Sequence, residues 1–206
     1  MRTALFRESP VIVGSLLLAA CALSGTSFHG LPIAGGIALM WFFRVPDRKR
    51  PSYDPRAIVS PCDGEVLEVE HVDSRTVRIV VYMSVLDVHI QWYPTHGRVG
   101  YLSHIPGEFN LAKLTDKSEH NERMVTRIEN EYGSVRVDQI AGQLARRIVN
   151  HSVVNKFVKR ADEMGMIKLS SRCDVFLSTK DAVVIVKKGD TLTGSQTIIA
   201  QWDRKN

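Results

Sequence analysis

Four kinds of residue in this sequence could take part in chemistry: a serine pair, histidines, an aspartate in a turn, and clustered arginines. A serine hydroxyl becomes a nucleophile when a proton acceptor with a pKa near neutral, oriented by a carboxylate, lies beside it. Considered one at a time, each of these residues is more typical of a structural role than of a catalytic one. Ser170-Ser171 is a common loop pair, His89 lies in a β-like run, and Asp63-Gly64 is typical of a turn.

Two stretches are dense in charge, Lys117 to Arg123 and the pair Arg146-Arg147. Such runs usually form solvated faces or ordinary ion pairs. Arginine also binds phosphate and carboxylate groups through its bidentate fork. The residue types leave both interpretations open.

Composition excludes several classes of protein. The chain has 206 residues, 44% hydrophobic and 24% charged, which is typical of a globular protein and not of a disordered, collagen-like or polytopic membrane protein. Its net charge of +5 fits an anionic partner such as a lipid surface and does not require nucleic acid. GxGxxG, P-loop and HExxH motifs are missing, and the three cysteines form no CxxC pair, so we expect neither a disulfide framework nor a structural zinc site.

An uncharged stretch runs from Pro10 to Phe43, with turn-forming residues at 24–30. Each half has about 13 residues, fewer than the roughly 20 of a straight transmembrane helix. Basic residues flank both ends, which favours a cytoplasmic location for both. We therefore predict that residues 1–50 form a membrane-anchoring apolar helical hairpin with a basic flank. A signal peptide, a lipidated Cys21 and a hairpin buried in the core are the less favoured alternatives.

The rest of the chain is predicted to be a mainly β, barrel-sandwich-like catalytic domain, residues 51–206. Glu65–Glu70 alternates and Thr76–Met83 is rich in β-branched residues, while Gly and Pro punctuate the runs. Further predicted strands are Val88–Trp92, Met124–Glu129, Ser134–Ile140, Cys173–Leu177, Ala182–Lys187 and Gln196–Trp202. Residues 154–162 and parts of 109–118 are expected to be helical or irregular.

Six motifs follow one another from Ser60 to the end of the chain. They are Ser60–Gly64, Met83–His89, Lys117–Arg123, Gln139–Val149, Leu169–Val175 and Gly189–Ala200. In this order, and with the apolar N-terminal region, they resemble phosphatidylserine decarboxylase in the short, archaeal-type form of the pyruvoyl-dependent family. One such motif would be weak, but six in the family's order are specific.

The resemblance implies a self-processing lyase of phospholipid biosynthesis that converts phosphatidylserine to phosphatidylethanolamine and CO2. In this family a serine attacks the carbonyl of the preceding residue, the amide becomes an ester, and β-elimination cuts the chain. The serine's remnant becomes an N-terminal pyruvoyl group, which forms a Schiff base with the substrate amine. It then acts as the electron sink that pyridoxal phosphate provides elsewhere, so neither that cofactor nor a metal is implied.

By the same resemblance, Ser171 is the processed serine that becomes the pyruvoyl group. Cleavage falls between Ser170 and Ser171 and gives chains 1–170 and 171–206. The family usually has Gly at the position of Ser170, although other pyruvoyl decarboxylases mature by Ser–Ser cleavage.

Asp63 and His89 match the family's Asp–His–Ser arrangement. His89 would serve as the base for cleavage, as the proton donor in decarboxylation, or as both. Longer family members carry a second histidine three residues further on, where this chain has Trp92. His96 is a candidate substitute.

The expected partners are phosphatidylserine, an anionic membrane, and the two cleavage chains with each other. Arg146, Arg147 and His96 are expected to contact the lipid headgroup. A homodimer is an open alternative, and no nucleic acid is expected. The expected location is the cell membrane, peripheral or monotopic, with the catalytic domain on the cytoplasmic side.

Two other classes of function stay open: a processing-deficient membrane-anchored homologue, and a carrier-like barrel-sandwich binding module. A carrier needs a lysine at an exposed hairpin tip, usually as Met-Lys-Met, and Lys187-Lys188 lies in another context. A gel distinguishes these classes, because the enzyme alone should appear as two pieces.

Overall fold

A computed structural model describes residues 2–3, 14–15, 18–19, 22, 30–48, 54–113, 115–143, 147–168 and 171–203. The chain divides into two compact units, Met1–Asp47 and Arg48–Asn206. The predicted division at residue 50, into an anchoring hairpin and a self-cleaved catalytic domain, stays a prediction.

The first unit contains one apolar helix, α1 (Gly30–Phe42), among its described residues. Its sequence GLPIAGGIALMWF has no charged residue, and Arg44 ends it by donating a hydrogen bond of 2.9 Å to the Trp41 carbonyl. A short antiparallel pair joins β1 (Arg2–Thr3) to β2 (Arg44–Val45). Across the described residues, every helix is too short or too polar to cross a membrane. Most of the predicted first half of the hairpin lies outside the described residues.

The second unit is built from short antiparallel strands. Its elements are β3 (Ala57–Val59), β4 (Gly64–Asp73), β5 (Thr76–Met83), β6 (Ile90–Trp92), β7 (Gly97–Ile105), α2 (Thr115–Ser118), β8 (Arg123–Glu129), β9 (Ser134–Ile140), β10 (Ile148–Asn150), β11 (Phe157–Val158), β12 (Glu163–Ile167), β13 (Ser171–Ser178), β14 (Ala182–Val184), β15 (Thr191–Leu192) and β16 (Ile198–Trp202). The predicted mainly β fold class is confirmed.

A curled eight-stranded sheet forms the frame of this unit, in the order β11-β7-β8-β9-β13-β5-β4-β15. Two three-stranded sheets, β10-β12-β6 and β14-β16-β3, complete it. Strand β13 is central, since it pairs with β5 on one side and β9 on the other.

Alternation along the strands explains the core. On β13, Cys173, Val175 and Leu177 point into one apolar cluster, as the period of two requires. The β-branched run of β5 contributes Val77, Ile79 and Val81 to the same cluster. These side chains are fully or almost fully buried, so the pairing of β5 with β13 is fixed by packing as well as by hydrogen bonds.

Replacing Gly64 tests the close approach of β4 to β5. Gly64 has a φ of 142°, and a Cβ there would overlap the Tyr82 carbonyl oxygen. We expect Gly64→Ala to lower stability by about 1–3 kcal/mol or more, seen as a fall in Tm. Gly189→Ala is the control, because Gly189 has a φ of 89° but no heavy atom within 4 Å of the added Cβ. An equal fall in both variants would remove the steric explanation.

Candidate active site

Ser171 is the first residue of β13 and lies opposite Met83, the last residue of β5. Its side chain is fully buried. The hydroxyl oxygen has no hydrogen-bond partner among the described residues. Buried hydroxyls are nearly always hydrogen-bonded, so the Ser171 hydroxyl requires an explanation.

His89 is fully buried at the end of the connection from β5 to β6. Its Nδ1 lies 2.9 Å from the Asp87 carbonyl oxygen. A carbonyl can only accept, so Nδ1 carries the proton of the neutral ring and the lone pair is on Nε2. The main chain therefore sets the tautomer that a general base needs.

Hydrogen bonds place His89 and Ser171 at the same end of the sheet. Ile167, four residues before Ser171, donates its N–H to the His89 carbonyl at 3.3 Å. The Gln91 side-chain nitrogen lies 2.8 Å from that same carbonyl and 3.6 Å from the sulfur of Met83, the residue that faces Ser171.

Asp63 takes part in a different group of contacts. Arg48 donates to both of its carboxylate oxygens at 2.6 Å, and the Gly194 N–H adds a third bond at 2.7 Å. The Arg48 guanidinium also stacks over the Trp92 ring, 4.5 Å from its centre. Trp92 alternates with Gln91 on β6, so this group faces away from the Gln91 side. The structure thus places Asp63 in an ion pair, and the orienting contact to His89 comes from the Asp87 carbonyl.

His96 lies at the far end of the eight-stranded sheet from Ser171. It directly precedes β7, whose residue Arg98 pairs with Glu129 at the last position of β8. The first residue of β8, Arg123, pairs with Ile140, which also pairs with Arg172, the residue after Ser171. His96 and Ser171 are therefore separated by about the length of β8, roughly 20 Å. There His96 contacts Glu131 through Nε2 at 3.3 Å, so the structure does not bring it to Ser171.

Arg147 lies at the same end as Ser171. Its carbonyl accepts the N–H of Lys168, three residues before Ser171, at 3.3 Å, and its side chain is exposed. Arg146 and Ser170 lie outside the described residues.

The model of one protein family, phosphatidylserine decarboxylase, matches residues 36–200. The chain belongs to the phosphatidylserine decarboxylase family. The resemblance drawn from the six motifs is confirmed.

Curated relatives in this family are named phosphatidylserine decarboxylase proenzyme. The protein of Porphyromonas gingivalis is 39% identical over 168 residues, 78% of this chain and 76% of the relative. That of Chlorobium luteolum is 35% identical over 198 residues, covering 94% and 87%. That of Rickettsia bellii is 34% identical over 212 residues, covering 97% and 90%.

In this phosphatidylserine decarboxylase family member, a buried charged group lies on the outer face of β13, beside Ser171. Arg172 is fully buried and binds Asp174 through two bonds of 2.7 and 2.6 Å. It also donates to Ser118 at 2.7 Å and to Glu119 at 2.9 Å. Arg78 completes the group with a bond of 2.6 Å to Glu119. Sequence reasoning assigned no role to Arg172, because two of its partners, Ser118 and Glu119, lie 54 and 53 positions away along the chain.

The electrostatics of this group favour the charged forms of its arginine and its outer carboxylate. Burial alone would lower the pKa of Arg172, but Asp174 and Glu119 outweigh it and raise that pKa. Burial likewise opposes the ionised form of Glu119, yet hydrogen bonds from Arg172 and Arg78 hold the Glu119 pKa below its ordinary value. Burial raises the pKa of Asp174, and its bidentate bond to Arg172 opposes that rise.

Cys173, two residues after Ser171, is a neutral thiol. Contact with Cys62 and complete burial raise the pKa of the Cys173 thiol well above its ordinary value. A thiol reacts as its thiolate, so Cys173 does not compete with the Ser171 hydroxyl as a nucleophile. Among the residues that the structure describes, no three His, Cys, Asp or Glu side chains converge as a metal site.

A chain of side-chain amides connects the eight-stranded sheet with the β10-β12-β6 sheet. Gln139 on β9 donates to Gln91 at 2.8 Å, and Asn150 on β10 donates to Gln139 at 2.7 Å and to Thr126 at 3.0 Å. Each amide bonds the next, so the chain of amides fixes Gln91, which supports the carbonyl of His89.

Removing Arg172 would leave Asp174 buried with little compensation. We expect Arg172→Met to lower the free energy of unfolding by about 3–5 kcal/mol, measured by urea titration in an uncut Ser171→Ala background. The double variant Arg172→Met, Asp174→Leu should recover much of that loss, since no uncompensated carboxylate remains. A double variant no more stable than the single one would contradict the ion-pair explanation.

Proposed function

We propose that this chain is a self-processing decarboxylase that converts phosphatidylserine to phosphatidylethanolamine and CO2 in phospholipid biosynthesis. The observation that carries the proposal is the buried Ser171 hydroxyl without a partner among the described residues, at the family's processed position. The proenzyme names of the relatives support a matured form of this chain.

Cleavage begins when the Ser171 Oγ attacks the carbonyl carbon of Ser170. The hydroxyl proton goes to Nε2 of His89 and from there to the nitrogen of residue 171 as the C–N bond of the amide breaks, and an ester joins Ser170 to Oγ. Loss of the Cα proton of residue 171 then breaks the Cβ–Oγ bond, expels Ser170 as a carboxylate and leaves dehydroalanine at position 171. Hydrolysis with loss of ammonia leaves a pyruvoyl group at the start of chain 171–206.

The residues present fit a pyruvoyl group, because it is formed from Ser171 itself inside a buried strand end. When formed, its carbonyl supplies the electron sink for decarboxylation of an amino acid headgroup. Arg147, exposed at this end, suits the phosphate or carboxylate of that headgroup through its bidentate fork. After Nε2 of His89 has taken up a proton, it can deliver that proton to the carbon that loses CO2.

The two pieces stay together without a covalent link. β13 keeps its hydrogen bonds to β5 and β9 after a cut at its first residue. Val175 and Leu177 also remain packed in the shared core.

Location at the cell membrane is part of the proposal, peripheral or monotopic and with the catalytic domain on the cytoplasmic side. Its support is the uncharged stretch 10–43 with basic residues on both flanks, next to a lipid substrate.

Intact-mass spectrometry tests the cut directly. The wild-type chain should give pieces 1–170 and 171–206, the second blocked to Edman sequencing because a pyruvoyl group has no free amine. Ser171→Ala should stay full-length and inactive, while the control Ser178→Ala, at the other end of β13, should be cut normally. Ser170→Gly should cut at least as fast, since Gly reaches strained backbone geometry more easily. A full-length chain that decarboxylates phosphatidylserine would overturn the mechanism, and an inert one would favour a processing-deficient homologue.

The two histidines should differ sharply when each is replaced by alanine. His89→Ala should slow maturation or turnover by about 10²–10⁴-fold, the usual contribution of general acid–base catalysis. His96→Ala should have little effect, because His96 lies at the far end of the sheet and contacts Glu131. The measurements are the fraction cut against time after synthesis, and turnover of the matured enzyme. Small and equal effects in the two variants would remove His89 from the mechanism.

A further inference from the structure

The turn between β5 and β6 exposes two apolar side chains. The Asp87 N–H donates to the Ser84 carbonyl at 3.0 Å, and the Ser84 N–H donates to the Asp87 carboxylate at 2.7 Å. At the tip, Val85 is 42% exposed and Leu86 is 71% exposed. Turn tips usually carry Gly, Asn, Asp or Ser, so an apolar pair there needs a reason outside the fold.

This turn, residues 84–87, connects the two halves of the candidate site. It begins directly after Met83, which faces Ser171, and it ends on Asp87, whose carbonyl holds the His89 ring. Leu86 therefore lies three residues after Met83, the partner of Ser171, and three residues before His89.

Apolar and basic residues occur on the segments that adjoin the turn, which itself carries the Asp87 carboxylate. Leu111 is 48% exposed, and Lys113 places its Nζ 5.8 Å from the ring centre of Tyr82, next to Met83. On another segment, the main-chain N–H of Lys168 donates to the carbonyl of the exposed Arg147, one residue after the Ile167 N–H that donates to the His89 carbonyl. Exposed aliphatic side chains flanked by Lys and Arg favour the headgroup and acyl boundary of an anionic bilayer.

We propose that the turn 84–87 inserts Val85 and Leu86 into the surface of an anionic lipid bilayer. The substrate headgroup then reaches Ser171 while its acyl chains stay in the membrane. The inference rests on the proposed function, because a phospholipid substrate is what requires a site that opens onto a bilayer. The second unit makes this contact through its own residues.

Assays with two forms of the substrate distinguish a loss of bilayer contact from a loss of catalysis. The full-length variant Val85→Ser, Leu86→Ser should be cut normally by intact mass. It should lose about tenfold or more activity on phosphatidylserine in vesicles, because the aliphatic area that anchors the turn is gone. On short-chain phosphatidylserine dispersed as monomers it should match the wild type. The control Val183→Ser, Ile185→Ser alters an equally exposed apolar pair, 58% and 57% exposed on and just after β14, and should change neither activity.

Each other outcome has a distinct meaning. Equal losses on vesicles and monomers would overturn the insertion and give the turn a role in holding His89. Unchanged vesicle activity would also overturn it. A wild-type chain that is uncut and inert on both substrates would defeat the proposed function instead, and the second experiment, which needs no activity, would then decide the insertion alone.

Fluorescence quenching measures the insertion directly. Leu86→Trp in the full-length chain should be quenched by vesicles of phosphatidylserine mixed with brominated phosphatidylcholine, beyond the quenching of the wild type's own tryptophans. Val183→Trp should show no such excess. Vesicles of phosphatidylcholine and its brominated form alone should quench less, because the basic residues lose their anionic partner. No excess quenching at position 86 on the anionic vesicles would refute the proposal.

Discussion

The antiparallel pairing of β13 on both of its edges is the interaction on which the rest of the structure depends. Eight residues of β13 pair with β5, from Ser171 onward, and six pair with β9, from Arg172 onward. Cleavage before Ser171 would break none of these pairs, because β5, β9 and β13 each stay whole. A chain cut in two can therefore keep its core, and the new terminus stays at the end of a strand held from both sides.

The two faces of β13 do different work at that terminus. Cys173 and Val175 pack in the apolar core and hold the strand in its layer. On the other face, Arg172 joins Asp174 to Ser118 and Glu119. A buried ion pair adds little net stability compared with apolar packing, because both charges lose their water. Its geometry is directional, however. Arg172, the residue after Ser171, ties β13 to Ser118 and Glu119 outside the sheet.

Local pattern predicted eight of the sixteen described strands and missed those whose pairing is set by the rest of the fold. The β-branched run of β5 and the alternating part of β4 carry their own signal. β7 does not, because Gly97 and Gly100 interrupt its sequence GRVGYLSHI, yet it is nine residues long and pairs with β8 from Arg98 to Ile105, with a bulge between Val99 and Tyr101. β12, EMGMI, is equally weak in pattern and is held by β6 and β10.

The candidate site shows a similar limit. The motifs gave Ser171 and His89, and the structure places both at one end of the sheet. They also gave Asp63, whose ion pair with Arg48 joins residues 15 positions apart that no spacing rule connects. The group that orients His89 is a main-chain carbonyl, and every residue has one, so no side-chain pattern can reveal it. Arg172 and Gln139 stayed unassigned for a related reason, since Glu119 and Gln91, which they bind, lie 53 and 48 positions away along the chain.

The proposed self-cut lipid enzyme has to satisfy two opposed requirements, and the connections of β5 and β13 separate them. The proposed nucleophile, Ser171, needs a rigid and dry position, and it begins a strand that is buried and paired on both edges. The acyl chains of a phospholipid need contact with a surface, and the turn after Met83 is a neighbouring element with exposed aliphatic side chains. The His89 ring is fully buried and is bonded through Nδ1 to the carbonyl of that turn's last residue. Because β5 supplies both the partner of Ser171 and the start of the turn, one strand fixes the buried serine and the exposed turn relative to each other.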